Sequence, residues 1–406
     1  VVNADGTVSV IAGASASQAL GSAAVFQGAS INGTNVAATY DANAQKVVIA
    51  YKTGAKGTAV VGTVSGTSIS FGTPAVFENA NVEYVSITYD ANAQKVVVVY
   101  SDAGASAVGT AAVGTVSGTN ISFGTPVVFN AAASYYNAIT YDAVAQKVVI
   151  AYRDAGNGND GTAIVGTVSG TSISFGSEAV FETGTTTHIS IVYDTNAQKV
   201  VIAYMDDSNG NKGTAVVATV SGTSISFGTL VIYEQGETLG VSVTYDANAQ
   251  KVVIAYVDQT NSFYGTAIVG TVSGTNISFG TAVVFKSANI GYTPVSAVYN
   301  AAAQKVIISY IDTGNSNYAT AAIGTLSGTD ISFGTAVALN GVDSSTTIPL
   351  VYDENAKVVV LSYEDQVNSR YGTSVVFQSA YTSTNLTSEN YIGIASNGYA
   401  TGQAAT

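Results

Sequence analysis

The stretch Tyr245-Asp-Ala-Asn-Ala-Gln-Lys-Val-Val-Ile-Ala-Tyr256 occurs seven times, with small changes, along this chain of 406 residues. Successive copies begin 49 to 54 residues apart. That period is typical of propeller blades and of helical arrays, and it is too long for one coil of a β-solenoid. The tyrosines that open the copies are Tyr40, Tyr89, Tyr141, Tyr193, Tyr245, Tyr299 and Tyr352.

Each repeat has the pattern of four antiparallel strands. In the copy at Tyr245, Val241–Tyr245 alternates apolar and small polar residues, and Lys251–Tyr256 is an apolar run rich in β-branched residues. Gly265–Val272 and Ile277–Phe285 follow as two strands around the tight turn Ser-Gly-Thr. Because the second strand is apolar on both faces, it needs a sheet on each side, as in a blade between two other blades. We therefore predict an all-β fold, a seven-bladed β-propeller of four-stranded antiparallel blades.

The two ends of the repeat region complement each other. Ala19–Phe26 matches the fourth strand of later repeats, whereas no Ser-Gly-Thr-x-Ile-Ser-Phe-Gly follows the last repeat. We predict that this N-terminal strand pairs with the chain around Val375, completes the last blade and closes the ring. The predicted domains are an N-terminal segment (1–27), the propeller repeats (28–378) and a C-terminal linker to a further module (379–406).

Composition excludes several classes of function. The net charge is −13 with 13 lysines and arginines, so nucleic acid would be repelled. The chain has no cysteine and therefore neither disulfides nor thiolate metal sites. No apolar run approaches the roughly 18 residues that a membrane span needs. We predict no membrane insertion and no nucleic-acid partner.

The repeats differ from one another on one side only. In an antiparallel blade, the turns between strands one and two and between strands three and four share a face, here called the uniform face. These turns carry Asp-Ala-Asn-Ala-Gln and Ser-Gly-Thr with little change. The opposite, variable face holds the diverse segments, a pattern that indicates function but that drift of unconstrained loops would also produce. These segments are Asn79–Tyr84, Asn130–Tyr136, Glu182–His188, Glu234–Gly240, Lys286–Pro294 and Asn340–Thr347, with the loops between strands two and three.

Aromatic residues on the variable face are the main candidates for binding a ligand. Five residues before each motif tyrosine, near the expected central channel, stand Asn35, Tyr84, Tyr136, His188, Gly240, Pro294 and Thr347. Exposed tyrosines beside amides and carboxylates are typical of sugar sites, although tyrosine also simply suits a β surface. The predicted ligand-binding residues are Tyr84, Tyr136, His188, Phe263, Tyr264, Tyr292, Tyr318, Tyr371, Arg153 and Arg370.

Two acidic loops have the spacing of oxygen ligands for calcium. Their candidate ligands are Asp154, Asn157 and Asn159 in one loop and Asp207, Asn209 and Asn211 in the other. Neither loop completes an EF-hand pattern. The structural alternative is that the aspartate after each second strand binds the backbone of its own loop, which would explain six repeats together. No other cofactor is predicted.

No catalytic constellation is evident. His188 is the only histidine, no thiol is present, and no nucleophile motif lies nearby. The chain has two arginines and no tryptophan, unlike the arginine cluster and aspartate boxes of sialidase-type propellers. We predict that the protein is not an enzyme. Paired carboxylates converging at the channel mouth are the alternative left open.

The phrase Gly265–Phe285, together with the tyrosine motif, resembles repeat regions in virion structural and tail-fibre-like proteins of marine tailed bacteriophages. Asn385–Ala395 is similar to the junction with the next module in such proteins. The resemblance implies an attachment or assembly module on a particle surface, with an extracellular or virion-surface location. It implies no catalytic residues.

These observations favour a non-enzymatic surface recognition module that binds a glycan or host receptor through the variable face. Other virion or surface proteins would contact it through the C-terminal linker. Two alternatives stay open: a structural spacer or decoration module of a phage particle, and a bacterial surface adhesin.

Overall fold

The computed structural model describes residues 15–292, 294–343 and 347–382. Within them lie 34 strands, three short 3₁₀ helices and no α-helix. The 3₁₀ helices are Ala103–Ala105, Asp207–Asn209 and Thr313–Asn315. The first half of the chain contains β1 (Ser15–Ala16), β2 (Ala19–Leu20), β3 (Ala24–Asp41), β4 (Lys46–Thr53), β5 (Lys56–Ser65), β6 (Ser68–Phe71), β7 (Ala75–Glu78), β8 (Val82–Asp90), β9 (Lys95–Asp102), β10 (Val108–Ser117), β11 (Asn120–Phe123), β12 (Val127–Asp142), β13 (Lys147–Asp154), β14 (Asp160–Ser169), β15 (Ser172–Phe175), β16 (Ala179–Glu182) and β17 (Thr186–Asp194). The second half contains β18 (Lys199–Asp206), β19 (Lys212–Ser221), β20 (Ser224–Phe227), β21 (Val231–Asp246), β22 (Lys251–Asp258), β23 (Tyr264–Ser273), β24 (Asn276–Phe279), β25 (Val283–Asn289), β26 (Ser296–Asn300), β27 (Lys305–Asp312), β28 (Tyr318–Ser327), β29 (Asp330–Phe333), β30 (Val337–Asp343), β31 (Leu350–Asp353), β32 (Val358–Asp365), β33 (Tyr371–Gln378) and β34 (Tyr381–Thr382).

The strands form antiparallel sheets, so the all-β prediction is confirmed. Three sheets have nine strands and one has five, and β1 pairs with β34 in a separate two-stranded sheet. Each nine-stranded sheet contains two consecutive repeats, because one long strand ends the first repeat and begins the second. These shared strands are β3, β12 and β21.

The shared strands correct part of the sequence prediction. Asn130–Tyr136 and Glu234–Gly240 are not loops but parts of β12 and β21, because each pairs with the third strand of its repeat as well as with the next second strand. The predicted fourth strand Ile277–Phe285 is also two strands, β24 and β25, separated by Gly-Thr-Ala. Both pair with β23.

The uniform turns are built from local hydrogen bonds. In the first repeat, the Asp41 carboxylate accepts a hydrogen bond from the Ala44 N–H at 2.8 Å, and Gln45 adopts a left-handed φ of 55°. Gly66 in the Ser-Gly-Thr turn has φ of 58°, a conformation that favours glycine. The same geometry recurs in the later copies of both turns, which explains why their sequences change so little.

The core lies between repeats. The second strands of the repeats, such as β22, are buried along their apolar run on both faces. The hydrophobic clusters among the described residues draw their members from consecutive repeats, most of them from two and one of them from three. One cluster joins the last repeat to the first, with Val358 and Val360 packed together with Val47 and Ile49.

Two recurring contacts set the packing of most repeats against the next. The motif tyrosine hydroxyl accepts a hydrogen bond from the preceding repeat's uniform turn, as in Tyr89 with the Asn43 N–H at 3.2 Å. Tyr40 of the first repeat bonds in the same way to the Asn355 backbone of the last. Glycine provides the second contact, since a Cβ added to Gly124 would lie only 1.9 Å from the Thr171 carbonyl oxygen in the next repeat.

The predicted N-terminal pairing is present. β2 and β3 pair antiparallel with β33, with Leu20 opposite Phe377 and Ala24 opposite Ser374. β3 runs through the predicted domain boundary at residue 27 without a break. Residues 1–14 and 383–406, which include most of the predicted linker and the Asn385–Ala395 junction, lie outside the described residues.

Candidate functional site

Three predicted ligand residues from consecutive repeats lie in ring contact. The ring centroids of Tyr84 and Tyr136 are 5.0 Å apart, and those of Tyr136 and His188 are 5.5 Å apart. These three residues are called the aromatic arc below. Antiparallel pairing places them at the variable-face end of the first strands, where three repeats meet.

The aromatic arc has an unfavourable backbone conformation. Tyr84, Tyr136 and His188 have left-handed φ values of 51°, 53° and 50°, each at a register shift in its first strand. Gly240, at the same position of the next repeat, has φ of 55°. The left-handed region costs a bulky residue roughly 1–2 kcal/mol and costs glycine almost nothing. The protein therefore keeps large rings where glycine would be less strained, which is typical of functional sites.

The arc is uncharged at neutral pH. Burial lowers the pKa of His188 from 6.5 to about 4, and the Gly240 N–H donates a hydrogen bond to its Nδ1 at 3.3 Å. A neutral imidazole that accepts at Nδ1 carries its proton on Nε2. Burial also raises the pKa values of the Tyr84 and Tyr136 hydroxyls. The arc thus offers rings and hydroxyls without formal charge.

A cation lies against the arc. The Arg153 guanidinium carbon is 4.8 Å from the centre of the Tyr135 ring and 5.1 Å from that of Tyr136. Tyr135 in turn packs edge-on against Tyr84, with centroids 5.6 Å apart. Tyr135 was missed by the sequence analysis because neighbours in a regular strand point to opposite faces. The register shift after Tyr135 breaks that alternation.

A cavity of about 330 Å³ lies beside Tyr84, at one end of the aromatic arc. It is lined by Tyr84 and by Asn32, Thr34, Asn35 and Glu83. The Asn32 side-chain oxygen accepts hydrogen bonds from the Thr34 hydroxyl (2.6 Å) and the Asn35 amide (3.2 Å). Glu83 is 46% exposed. The cavity thus combines an aromatic ring with amide, hydroxyl and carboxylate groups. Asn32 and Thr34 could not be predicted, because only the packing of repeat one against repeat two brings them to Tyr84. Glu83 was missed because a register shift follows it in its strand.

A second cavity, of about 260 Å³, is lined by first-strand residues from consecutive repeats, together with Pro294 and Thr347. Serines bridge these strands: the Ser190 hydroxyl accepts a hydrogen bond from the Val243 N–H, and the Ser242 hydroxyl accepts one from the Ala297 N–H, both at 3.0 Å. The first strands therefore converge on one space, as predicted for the channel.

The remaining aromatic candidates form no ring contact with the arc within the described part of the chain. Phe263 and Tyr292 pack edge-to-face with centroids 4.8 Å apart, and Tyr292 is 70% exposed. Tyr264, Tyr318 and Tyr371 each begin a third strand, and they are half-buried rather than exposed as expected. Each lies opposite the aspartate that ends a second strand, so strand pairing covers part of its ring.

Arg370 is committed to a structural ion pair. Its Nε donates to Glu364 Oε1 at 2.7 Å, and the Glu364 side chain is fully buried. Glu364 also accepts hydrogen bonds from the Gly33 N–H at 2.8 Å and the Gln366 amide at 2.7 Å. The pair therefore holds the last repeat against the first. About half of the Arg370 side chain stays exposed.

In the two acidic loops, the aspartate after the second strand binds the backbone of its own loop, which is the structural alternative to a calcium site. Asp154 accepts a hydrogen bond from the Gly156 N–H at 2.9 Å, and Asp206 accepts one from the Asn209 N–H at 3.1 Å. Asn159 and Asn211 occupy left-handed positions, which asparagine tolerates well. Asn157 bonds to Asp160, and Asp207 bonds to Thr187. Within the described ranges, no group of three or more His, Asp or Glu side chains could hold a metal ion. The calcium ligands, four of which are asparagines, stay a prediction.

No protein-family model and no curated protein sequence matches this chain. Among solved structures, it is similar to the BP39L lectin from Burkholderia pseudomallei, with a TM-score of 0.65 and 11% identity over 86% of this chain and 99% of the lectin. A mutant of AofleA from Arthrobotrys oligospora has a TM-score of 0.51 and 10% identity over 78% of this chain and 91% of its own. A mutant of NanB sialidase from Streptococcus pneumoniae has a TM-score of 0.50 and 9% identity, over 88% of this chain and 70% of the sialidase chain. At these identities the similarity shows the fold alone, which is that of a β-propeller. Among the described residues, no helix is long and apolar enough to cross a membrane.

Proposed function

We propose that this protein is a non-enzymatic carbohydrate-binding module whose seven repeats form the seven blades of a closed propeller. The blade count is supported by hydrophobic clusters that run from each repeat to the next and from the last back to the first. The Tyr40 contact with Asn355 supports the same closure. The ligand binds on the variable face, at the aromatic arc and the cavity beside Tyr84.

The observation that carries this proposal is the composition of that cavity. A sugar presents apolar C–H faces, which stack on an aromatic ring, and hydroxyl groups, which need hydrogen-bond partners. Tyr84 supplies the ring, and Asn32, Thr34 and Glu83 supply the polar groups. A volume of about 330 Å³ falls within the usual range for small-ligand sites. The backbone strain at Tyr84 supports a binding role over chance placement.

Two further features support recognition rather than catalysis. His188 packs against the Tyr136 ring and its Nδ1 accepts the Gly240 N–H, so this nitrogen is not free to act as a general base. BP39L, a structural neighbour, is described as a lectin, which supports the same ligand class for this chain. We further propose, from the resemblance to virion proteins, that the module acts outside the cell or on a particle surface. There the glycan would belong to a host receptor, and the C-terminal segment would join other surface proteins.

A glycan array with matched variants tests this function. Tyr84→Gly removes the ring and keeps the left-handed backbone, as Gly240 does naturally in its own repeat. Tyr381→Phe is the control, because it changes a half-buried tyrosine of β34, outside the arc and its cavity. We expect the wild type and the control to bind the same glycans and Tyr84→Gly to bind them at least about tenfold more weakly. A blank array for the folded wild type, or unchanged binding by Tyr84→Gly, would overturn the proposal.

A further inference from the structure

In the described part of the chain, Arg153 lacks the ion pair that three other cations of the variable face form. Lys286 lies 2.6 Å from the Asp312 carboxylate, Arg370 lies 2.7 Å from Glu364, and Lys52 lies 3.9 Å from Glu83. Within the described ranges, no carboxylate lies within ion-pair distance of Arg153. This is unexpected in a chain with 26 acidic and 13 basic residues. A partly buried guanidinium that forms no ion pair is a costly arrangement, which the two tyrosine rings and the more distant Asp207 charge offset in part.

The guanidinium is held in a defined orientation. Arg153 lies on β13 opposite Tyr135 of β12, and its charged group stacks on the Tyr135 and Tyr136 rings. Among the residues that the structure describes, its buried Nε has no hydrogen-bond partner, and its terminal nitrogens, which are not buried, have none either. Contact with the two rings holds the group in place. The free edge that carries the two terminal nitrogens is therefore the part that a ligand can reach.

Nearby acidic groups do not neutralise this edge. Asp207 is near enough for the Arg153 charge to lower its pKa, but burial raises that pKa more, and its carboxylate accepts the Thr187 hydroxyl at 2.7 Å. Asp154, the next residue in the chain, accepts hydrogen bonds from Asn130 and from the Gly156 N–H. Glu83, beside Tyr84, pairs with Lys52. Each of these carboxylates thus has its own partners.

We propose that the site selects an acidic saccharide, whose carboxylate accepts two hydrogen bonds from the terminal nitrogens of Arg153 while the sugar ring stacks on the aromatic arc. The planar guanidinium matches a planar carboxylate in paired, parallel hydrogen bonds, and such charged bonds are stronger than neutral ones. The inference rests on the carbohydrate-binding function proposed above and names its ligand class. In an acidic protein that repels anions at long range, a single placed arginine gives selectivity without non-specific attraction of polyanions.

The test compares each acidic sugar with its own uncharged derivative. Oligosaccharides that contain uronic or sialic acid, and their methyl esters, are printed on one array with neutral and sulfated oligosaccharides. Binding of the full chain is measured for the wild type, Arg153→Gln, Arg153→Lys and Lys56→Gln. Lys56 is an exposed cation, so Lys56→Gln controls for the change in net charge. Urea unfolding of every variant checks that each protein is folded.

We expect the wild type to prefer the free acids over the methyl esters by roughly 10- to 100-fold. Arg153→Gln should abolish this preference, Arg153→Lys should retain part of it, and Lys56→Gln should leave it unchanged. Equal binding of acids and esters, or binding of sulfated sugars only, would overturn the inference and leave the carbohydrate-binding function standing. An array on which no saccharide binds would reject both.

Discussion

Acidification should destabilise this protein through His188, its only histidine. The unfolded pKa is 6.5 and the folded pKa about 4, because burial disfavours the charged ring. The folded pKa is the lower one, so at pH 7.5 both states are neutral and no penalty applies. As the pH falls below 6.5, the unfolded chain binds a proton that the folded protein excludes, and stability is lost until about pH 4.

The size of the effect follows from these two values. At about 1.36 kcal/mol per pKa unit, lowering the pH to 5 costs about 2 kcal/mol of unfolding free energy, and partial exposure of the ring reduces this to about 1–2 kcal/mol. Protonation also removes the lone pair that accepts the Gly240 N–H. Carboxyl groups whose pKa burial raises, such as Asp90 and Asp246, act in the opposite direction, because they bind protons more readily in the folded state. The contribution of His188 must therefore be measured as a difference between proteins.

His188→Gln isolates the effect, because glutamine does not titrate and occupies left-handed positions elsewhere in this chain, as at Gln94. Urea unfolding of both proteins at pH 7.5 and pH 5.0 should show a loss about 1–2 kcal/mol larger for the wild type. NMR of the single imidazole gives its pKa directly. A folded-state pKa near 6.5, or the same pH response in both proteins, would refute the reasoning.

Three other predictions concern how the repeats are joined. Gly124→Ala should cost about 1–3 kcal/mol of stability, because the new Cβ would lie 1.9 Å from the Thr171 carbonyl oxygen, whereas Gly334→Ala meets nothing within 4 Å and should be close to neutral. Equal thermal midpoints for the two variants would contradict the backbone contact. Glu364→Leu should cost about 2–4 kcal/mol in urea unfolding, because it leaves Arg370 and the Gly33 N–H without their acceptor, and an unchanged midpoint would argue against this pairing. Deleting residues 1–27 should lower the thermal midpoint, because β33 loses β2 and the first four residues of β3 as partners, and an unaltered midpoint would count against closure through the N-terminus.

Much of the fold could be predicted because burial of the second strand and the geometry of the two uniform turns restrict the residues in every repeat. A second strand buried on both faces, such as β22, is visible as an unbroken apolar run, and the two uniform turns are visible as residues that adopt left-handed or Asx conformations. The segments that join one repeat to the next were harder to predict. Asn130–Tyr136 is polar and rich in small residues, like a loop, and it is a strand only because the neighbouring third strand pairs with it.

Site residues could be predicted from the sequence only where they occupy equivalent positions in the aligned repeats. The alignment of repeats placed Tyr84, Tyr136 and His188 at one position, and they are in ring contact. Tyr135, Asn32 and Glu83 were missed, because a register shift and the packing between repeats bring them to the site. Arg153 and Arg370 looked equivalent in sequence, and only the buried Glu364 distinguishes them.

The contact between each glycine and the next repeat's carbonyl oxygen has an evolutionary consequence. Because contacts at the uniform face align one repeat with its neighbour in nearly every copy, most side chains on the opposite rim are not needed for that alignment, with the Glu364–Arg370 pair as an exception. Mutations there can accumulate, recombine between repeats or be sampled in a laboratory library while the scaffold persists. A particle that displays such a module could change the surfaces it adheres to without having to evolve a new way of folding.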